Sequence, residues 1–374
     1  MILFLYRIIH ETGGDMTESI IEQKKRNGFL DFIKTIATIL IIFHHFQQGV
    51  DIRFSFINFC DGFIYFGRLV ELFFVISGFL MTPYISKIIE GLSFKSFFVR
   101  RYLRLIPIVA ISTVFDLIIK CILHFESFAE KPLKILLETA SVALGIHGIL
   151  NQSVSFANNP MWYISALLWC YVIFYFFFAI CKKLSAKNRI VCLFSLFVIM
   201  LFGCIILFLN FDYPFFNEYV GRSLLSFFAG VFLGIVLDPV SLSNKILVPI
   251  MIFVAVLSFV PILYFRGLSN RNETIFYVII FFYAPFLILS KTDIFIKMFE
   301  RPIWSLMAKI SFHAFCFHIP VKDMLTILFK SDAIKEIIYS NGVLSMIIYL
   351  MIVYVFSIMT YLAIEKPLFR RNIT

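Results

Sequence analysis

Apolar runs of about 20 residues recur along the whole chain, separated by short segments rich in Lys and Arg. A run of that length crosses the hydrocarbon core of a bilayer as one helix. The pattern predicts ten spans, near 29–48, 63–86, 103–124, 162–181, 190–210, 220–237, 246–265, 274–290, 303–321 and 342–363. The expected fold class is therefore an all-α membrane protein, a polytopic bundle of about ten transmembrane helices.

The connecting segments orient that bundle. With the N-terminus inside, the basic clusters fall on the cytoplasmic face: Lys24, Lys25 and Arg26; Lys95, Arg100, Arg101 and Arg104; Lys182, Lys183, Lys187 and Arg189; Lys291, Lys297 and Arg301; Lys366, Arg370 and Arg371. Lys and Arg favour that side, so both termini are expected in the cytoplasm. The organisation reads as a tail over 1–28, one transmembrane domain over 29–365 and a tail over 366–374. Leu133 to Leu150 is broken by Glu138, Gly145, His147 and Gly148, which predicts an external loop with a short or re-entrant helix. Lys322 to Asn341 reads as a second external loop. Met16 offers an alternative start.

Composition agrees: 61% of residues are hydrophobic, 15% are charged, and the mean hydropathy is +0.93. A net charge of +10 is what cytoplasmic anchoring requires, and it gives no reason to invoke nucleic acid. The seven Cys form no CxxC pair and fall mostly in apolar runs, so neither a disulfide framework nor a metal site is expected.

Polar residues inside the apolar runs are the candidates for chemistry, because each is costly there without a partner or a task. Lys34 opens the first run, and His44 and His45 close it. Lys34 and His45 are eleven residues apart, a rise of about 16 Å. If Lys34 marks one membrane face, His45 lies near the middle of the bilayer. Glu71 interrupts the second run, followed by Ser77-Gly78, small residues that let helices approach closely. Arg101 and Arg104 share a helix face and suit phosphate oxygens, and the plainer reading is an anchor on anionic lipid heads. Trp162-Tyr163 fits an interfacial aromatic belt. His313 and His318 lie near the outer end of the ninth run, and Glu365-Lys366-Pro367 closes the tenth.

In this order the motifs resemble the membrane-bound acyltransferase family 3, the integral O-acyltransferases, from about Leu30 to Pro367. Lys34 and His45 match its Arg/Lys-x10-His element. Glu71 to Phe79 match its acidic-Leu-Phe-Phe-x-x-Ser-Gly-Phe, and Phe97 to Pro107 match Phe-x-x-Arg-Arg-x-x-Arg-x-x-Pro. Phe315 to Pro320 match Tyr-x-x-His-x-Pro with Phe in place of Tyr, and Ile364 to Pro367 match Ile-Glu-x-Pro. The chain departs at Leu167, where many members carry Glu five residues after the Trp.

The resemblance implies acyl-CoA, most often acetyl-CoA, as donor, with no metal. Lys34, Arg100, Arg101 and Arg104 are then expected at the donor, on the cytoplasmic side where CoA is found. His45 becomes the base on an acceptor hydroxyl or the carrier of the acyl group, with Glu71 orienting it or pairing with a basic residue. Trp162 and His318 fall on the acceptor side, and His44, about 100° around the helix, packs elsewhere. The expected acceptor is a cell-surface or lipid-linked saccharide. The expected partners are the lipid bilayer and proteins of glycan synthesis, and the expected location is the cell membrane. A flippase for a glycan precursor and a non-catalytic scaffold are the rival readings. No matched pair of Gly/Pro-broken helices supports the flippase.

Overall fold

The computed structural model describes residues 27–50, 54, 58–60, 65–152, 154, 156–183, 189–237, 249, 279, 283–328 and 341–367. Most of the first tail, nearly all of the expected span 246–265, most of the first half of the expected span 274–290, most of the loop after Leu328 and the end of the second tail lie outside them. Among the described residues the structure is helical, with no named strand. Helix α1 is Gly28–Val50, α2 is Leu69–Met81 and α3 is Tyr84–Glu90. They are followed by α4 (Phe94–Leu123), α5 (Phe125–Glu130), α6 (Pro132–Ala143) and α7 (Trp162–Lys183). The remainder are α8 (Arg189–Phe208), α9 (Glu218–Leu237), α10 (Ala284–Leu289), α11 (Asp293–Met298), α12 (Pro302–Leu328) and α13 (Gly342–Thr360). Six of the described helical stretches are long and apolar enough to cross a membrane, or seven if the bent pair α2–α3 is one span. Large apolar side chains stay exposed on their outer faces, for example Ile122 on α4, Phe194 on α8 and Met351 on α13, as lipid contact requires.

Several boundaries differ from the sequence pattern, each for a local reason. The expected span 63–86 breaks at Pro83, where α2 and α3 meet at 48°. Helix α4 starts nine residues before the expected 103, at Phe94. There the hydroxyl of Ser93 caps it by accepting from the amide of Ser96 at 3.3 Å. Arg100 therefore lies within the helix together with Arg101 and Arg104. Helix α12 continues past Ile319 to Leu328, which corrects the loop expected from Lys322. Pro320 sits inside it and cannot donate to the Cys316 carbonyl; the side-chain amide of Asn158 donates to that oxygen instead, at 2.6 Å. Helix α6, at about 18 Å, is too short to span, in line with the short helix expected within Leu133 to Leu150.

Two helix pairs organise the bundle. Helices α2 and α9 cross backbone to backbone. A Cβ on Gly78 would collide with the Phe227 carbonyl, and one on Gly230 with the Val75 carbonyl. These reciprocal small residues allow the close approach. Helix α12 packs against α1, α4 and α13. It runs parallel to α1, since Ala308 and Lys309 share a cavity with Lys34 while His318 meets His45.

Candidate active site

The α1–α12 pair carries two facing stripes. On α1, Lys34, Thr38 and His45 fall on one face, because seven or eleven residues return the helix to within about 20° of the same direction. On α12 the stripe is Ser311, Phe315, His318 and Lys322.

At one end the stripes form the wall of a cavity of about 540 Å³. It is lined by Lys34, Lys87, Arg100, Arg101, Arg104 and Lys309 against a single carboxylate, Glu365. All four residues expected at the donor are thus in one place. Arg101 is held rigidly: its Nη1 donates to the Phe97 carbonyl at 2.5 Å, and its guanidinium lies 3.8 Å from the Phe97 ring centre and 4.2 Å from that of Tyr84. Among the described residues no carboxylate pairs with Arg100, Arg101 or Arg104. The Glu365 carboxylate accepts from His313 Nε2 at 2.7 Å, and Thr360 Oγ1 lies 3.0 Å from His313 Nδ1, which ties the end of α13 to α12. A concave wall with this surplus of cations favours a ligand carrying several phosphates.

The inner end of the cavity is aromatic. Phe73, Tyr163 and Phe315 line it, their ring centres 5.5–6.2 Å apart. Leu167, where many family members carry an acid, lines the wall beside them.

Beyond Phe315 the imidazoles of His45 and His318 meet with ring centres 4.9 Å apart. His318 Nδ1 donates to the Phe315 carbonyl at 2.7 Å, and His45 Nδ1 donates to Gln48 Oε1 at 3.0 Å. Both acceptors are oxygens without a proton, so the lone pair of each ring sits on Nε2. That of His318 is buried and has no hydrogen-bond partner. Tyr349 fixes the backbone by donating to the His318 carbonyl at 2.5 Å. His45 is five residues from the end of α1, and Lys34 is about 9 Å inside the helix. Lys34 therefore does not mark the helix end, and His45 lies nearer the far end than the middle. His44 borders the pair on its other side, its ring centre 5.0 Å from that of His45 and 5.0 Å from that of Tyr65, with Nδ1 donating to the Phe59 carbonyl at 2.9 Å.

Glu71 and Trp162 belong to a third group. Arg222 Nε lies 2.6 Å from Glu71 Oε1 and Arg68 Nη1 lies 3.4 Å from the same oxygen. The Arg222 guanidinium lies 4.6 Å from the Trp162 ring centre, and Trp162 stacks on Tyr219 at 4.7 Å. Of the two partners the sequence left open for Glu71, the basic one is in contact. Its link to the histidines runs through Arg68, Tyr65 and His44. Arg222, Lys309 and Gln48 escaped the motif reading. Arg222 carried one signal, a lone cation in the apolar run of α9. Among the described residues no cluster of three or more His, Cys, Asp or Glu has metal-ligating geometry.

No curated protein and no solved structure matches this chain. A model of the acyltransferase domain known as acyltransferase family 3 matches residues 27–362, and the chain, with its basic cavity and its paired histidines, belongs to that family of membrane acyltransferases.

Proposed function

We propose that the protein transfers an acyl group, in the first instance acetyl, from acyl-CoA to a hydroxyl of a cell-surface or lipid-linked saccharide. The observation that carries this reading is the continuity of the two stripes, from the basic cavity at Lys34 to the histidine pair. The phosphates of CoA bind Arg100, Arg101, Arg104 and Lys34 at the cytoplasmic side. The pantetheine arm follows Thr38 and Phe315 inward, and the rise of about 16 Å from Lys34 to His45 is comparable with its extended length.

The acceptor hydroxyl approaches from the histidine end and gives its proton to Nε2 of His45 as it attacks the thioester carbonyl. The free Nε2 of His318, facing the same ring, accepts a second hydroxyl of the acceptor and orients it. Trp162 is a sugar-stacking surface on the same side, and Glu71 keeps Arg222 in place beneath it. The protein sits in the cell membrane beside the enzymes that supply its saccharide.

The direct test uses full-length protein in lipid nanodiscs with acetyl-CoA labelled in the acetyl group. Label appearing in extracted glycan, with release of CoA thiol, supports the reading. Translocation of a lipid-linked glycan with no label transferred rejects it in favour of a flippase.

A further inference from the structure

His318 and Lys322 are one turn apart on α12, and His45 and Gly49 are one turn apart on α1. The lysine and the glycine therefore extend the stripes that carry the two histidines. A Cβ on Gly49 would lie 2.8 Å from both Cδ and Nζ of Lys322. The lysine thus crosses α1 through the space a side chain would fill, one turn beyond the imidazole pair. Nearby, Lys120 holds two carboxylates, Asp116 at 2.8 Å and Asp323 at 3.5 Å. Among the described residues none is within ion-pair distance of Lys322. A half-buried ammonium in a helix bundle without a paired carboxylate calls for an anion. The two imidazoles carry no negative charge. In the transfer proposed above one anion forms beside them: the thioester carbonyl oxygen, once a hydroxyl has added.

We infer that Lys322 stabilises this oxyanion, an assignment that rests on the acyl-CoA reading of the site. The acceptor oxygen bonds to the carbonyl carbon, the carbonyl π pair moves onto oxygen, and the hydroxyl proton passes to His45. The ammonium of Lys322 pairs with the new negative charge. Collapse re-forms the C=O and breaks the C–S bond, and the proton on His45 goes to the departing sulfur. Ester and CoA thiol are the products. Gly49 keeps the lysine's path open.

The experiment measures acetyl-CoA hydrolysis, with water as acceptor, by thiol release from the purified full-length protein, and CoA binding by calorimetry. Water brings no anionic group of its own, so a lysine that merely binds an anionic acceptor has no part in this reaction. Lys322→Met is expected to lower kcat about 10²- to 10³-fold, with KM and CoA binding unchanged. Lys322→Arg keeps the charge and retains most of the rate. Gly49→Ala pushes the ammonium aside and loses rate in the same direction, with an unchanged melting temperature as the folding control. A Lys322→Met enzyme with wild-type kcat, or a loss carried wholly by KM, overturns the assignment. A wild-type protein that neither binds CoA nor releases thiol overturns the acyl-CoA reading beneath it.

Discussion

The rings of His45 and His318 lie 4.9 Å apart, and each is held through Nδ1 by an oxygen of its own helix. This leaves two Nε2 lone pairs on one small surface. His45→Ala is expected to lower acyl transfer about 10²- to 10⁴-fold, with normal protein levels in the membrane. His318→Ala is expected to raise KM for the acceptor more than it lowers kcat. His44→Ala removes the bond to Phe59 and reduces melting temperature with little direct effect on turnover. Steady-state kinetics on the three variants separate these roles, and equal losses in all three would contradict the assignment.

Arg101 is wedged between Phe97 and Tyr84 while its own helix carbonyl fixes Nη1. A planar guanidinium fills that slot and an ammonium does not. Arg101→Lys is therefore expected to weaken CoA binding nearly as much as Arg101→Ala. Both raise KM for acetyl-CoA and leave the melting temperature within a few degrees. Isothermal titration with CoA and with dephospho-CoA reads this out. A lysine variant with wild-type affinity contradicts it.

Phe315 lines the inner end of the cavity with Phe73 and Tyr163, on the path that the proposed transfer gives the acyl thioester toward His45. Removing the ring widens the space for the acyl chain by about one side chain. Phe315→Ala is expected to shift the preference among acetyl-, butyryl- and hexanoyl-CoA toward the longer chains. Phe315→Tyr restores the family's usual residue and leaves the preference unchanged. A competition assay with mixed acyl-CoA, read by mass spectrometry of the product, decides.

Glu71, 1% exposed, is the carboxylate shared by Arg68 and Arg222, and Glu218 reaches Arg222 from the same helix at 3.4 Å. Glu71→Gln removes the buried carboxylate that both arginines share, leaving Arg222 only its half-exposed partner Glu218, and is expected to cost about 3–5 kcal/mol of stability. The double variant Glu71→Gln with Arg222→Met recovers part of it. If Glu71→Gln instead melts like wild type and loses only turnover, Glu71 acts on the reaction and not on the frame.

Helical class, the clustering of Arg100, Arg101 and Arg104, and the different directions of His44 and His45 were legible because each depends on local sequence. Apolar run length sets the spans, and the eleven-residue interval puts Lys34 and His45 on one face. Contacts between helices were not legible. Nothing local pairs Glu71 with Arg222 on α9 or brings His318 against His45. Lys322 reads as the start of a loop because two charges follow Pro320, yet Asn158 repairs the backbone at that proline and Lys120 offsets Asp323, so the helix runs on. Polar groups of distant helices decide such boundaries.

His147 lies outside the spanning helices, in the turns after α6. It is fully buried, and its Nε2 lies 3.4 Å from the Asn159 carbonyl. Burial pushes its pKa down to about 4 from 6.5, outweighing that bond. A folded-state pKa below the unfolded value means the unfolded chain binds the extra proton. The neutral ring is therefore without penalty above pH 6.5. Stability falls as pH drops from 6.5 toward 4, by up to about 3 kcal/mol, and the contribution is constant below that. The wild-type melting temperature in detergent is expected to fall between pH 7 and pH 4.5. His147→Gln, which cannot take up the proton, should flatten that dependence while melting somewhat lower at pH 7. A variant with the full wild-type acid slope would show that another group is responsible.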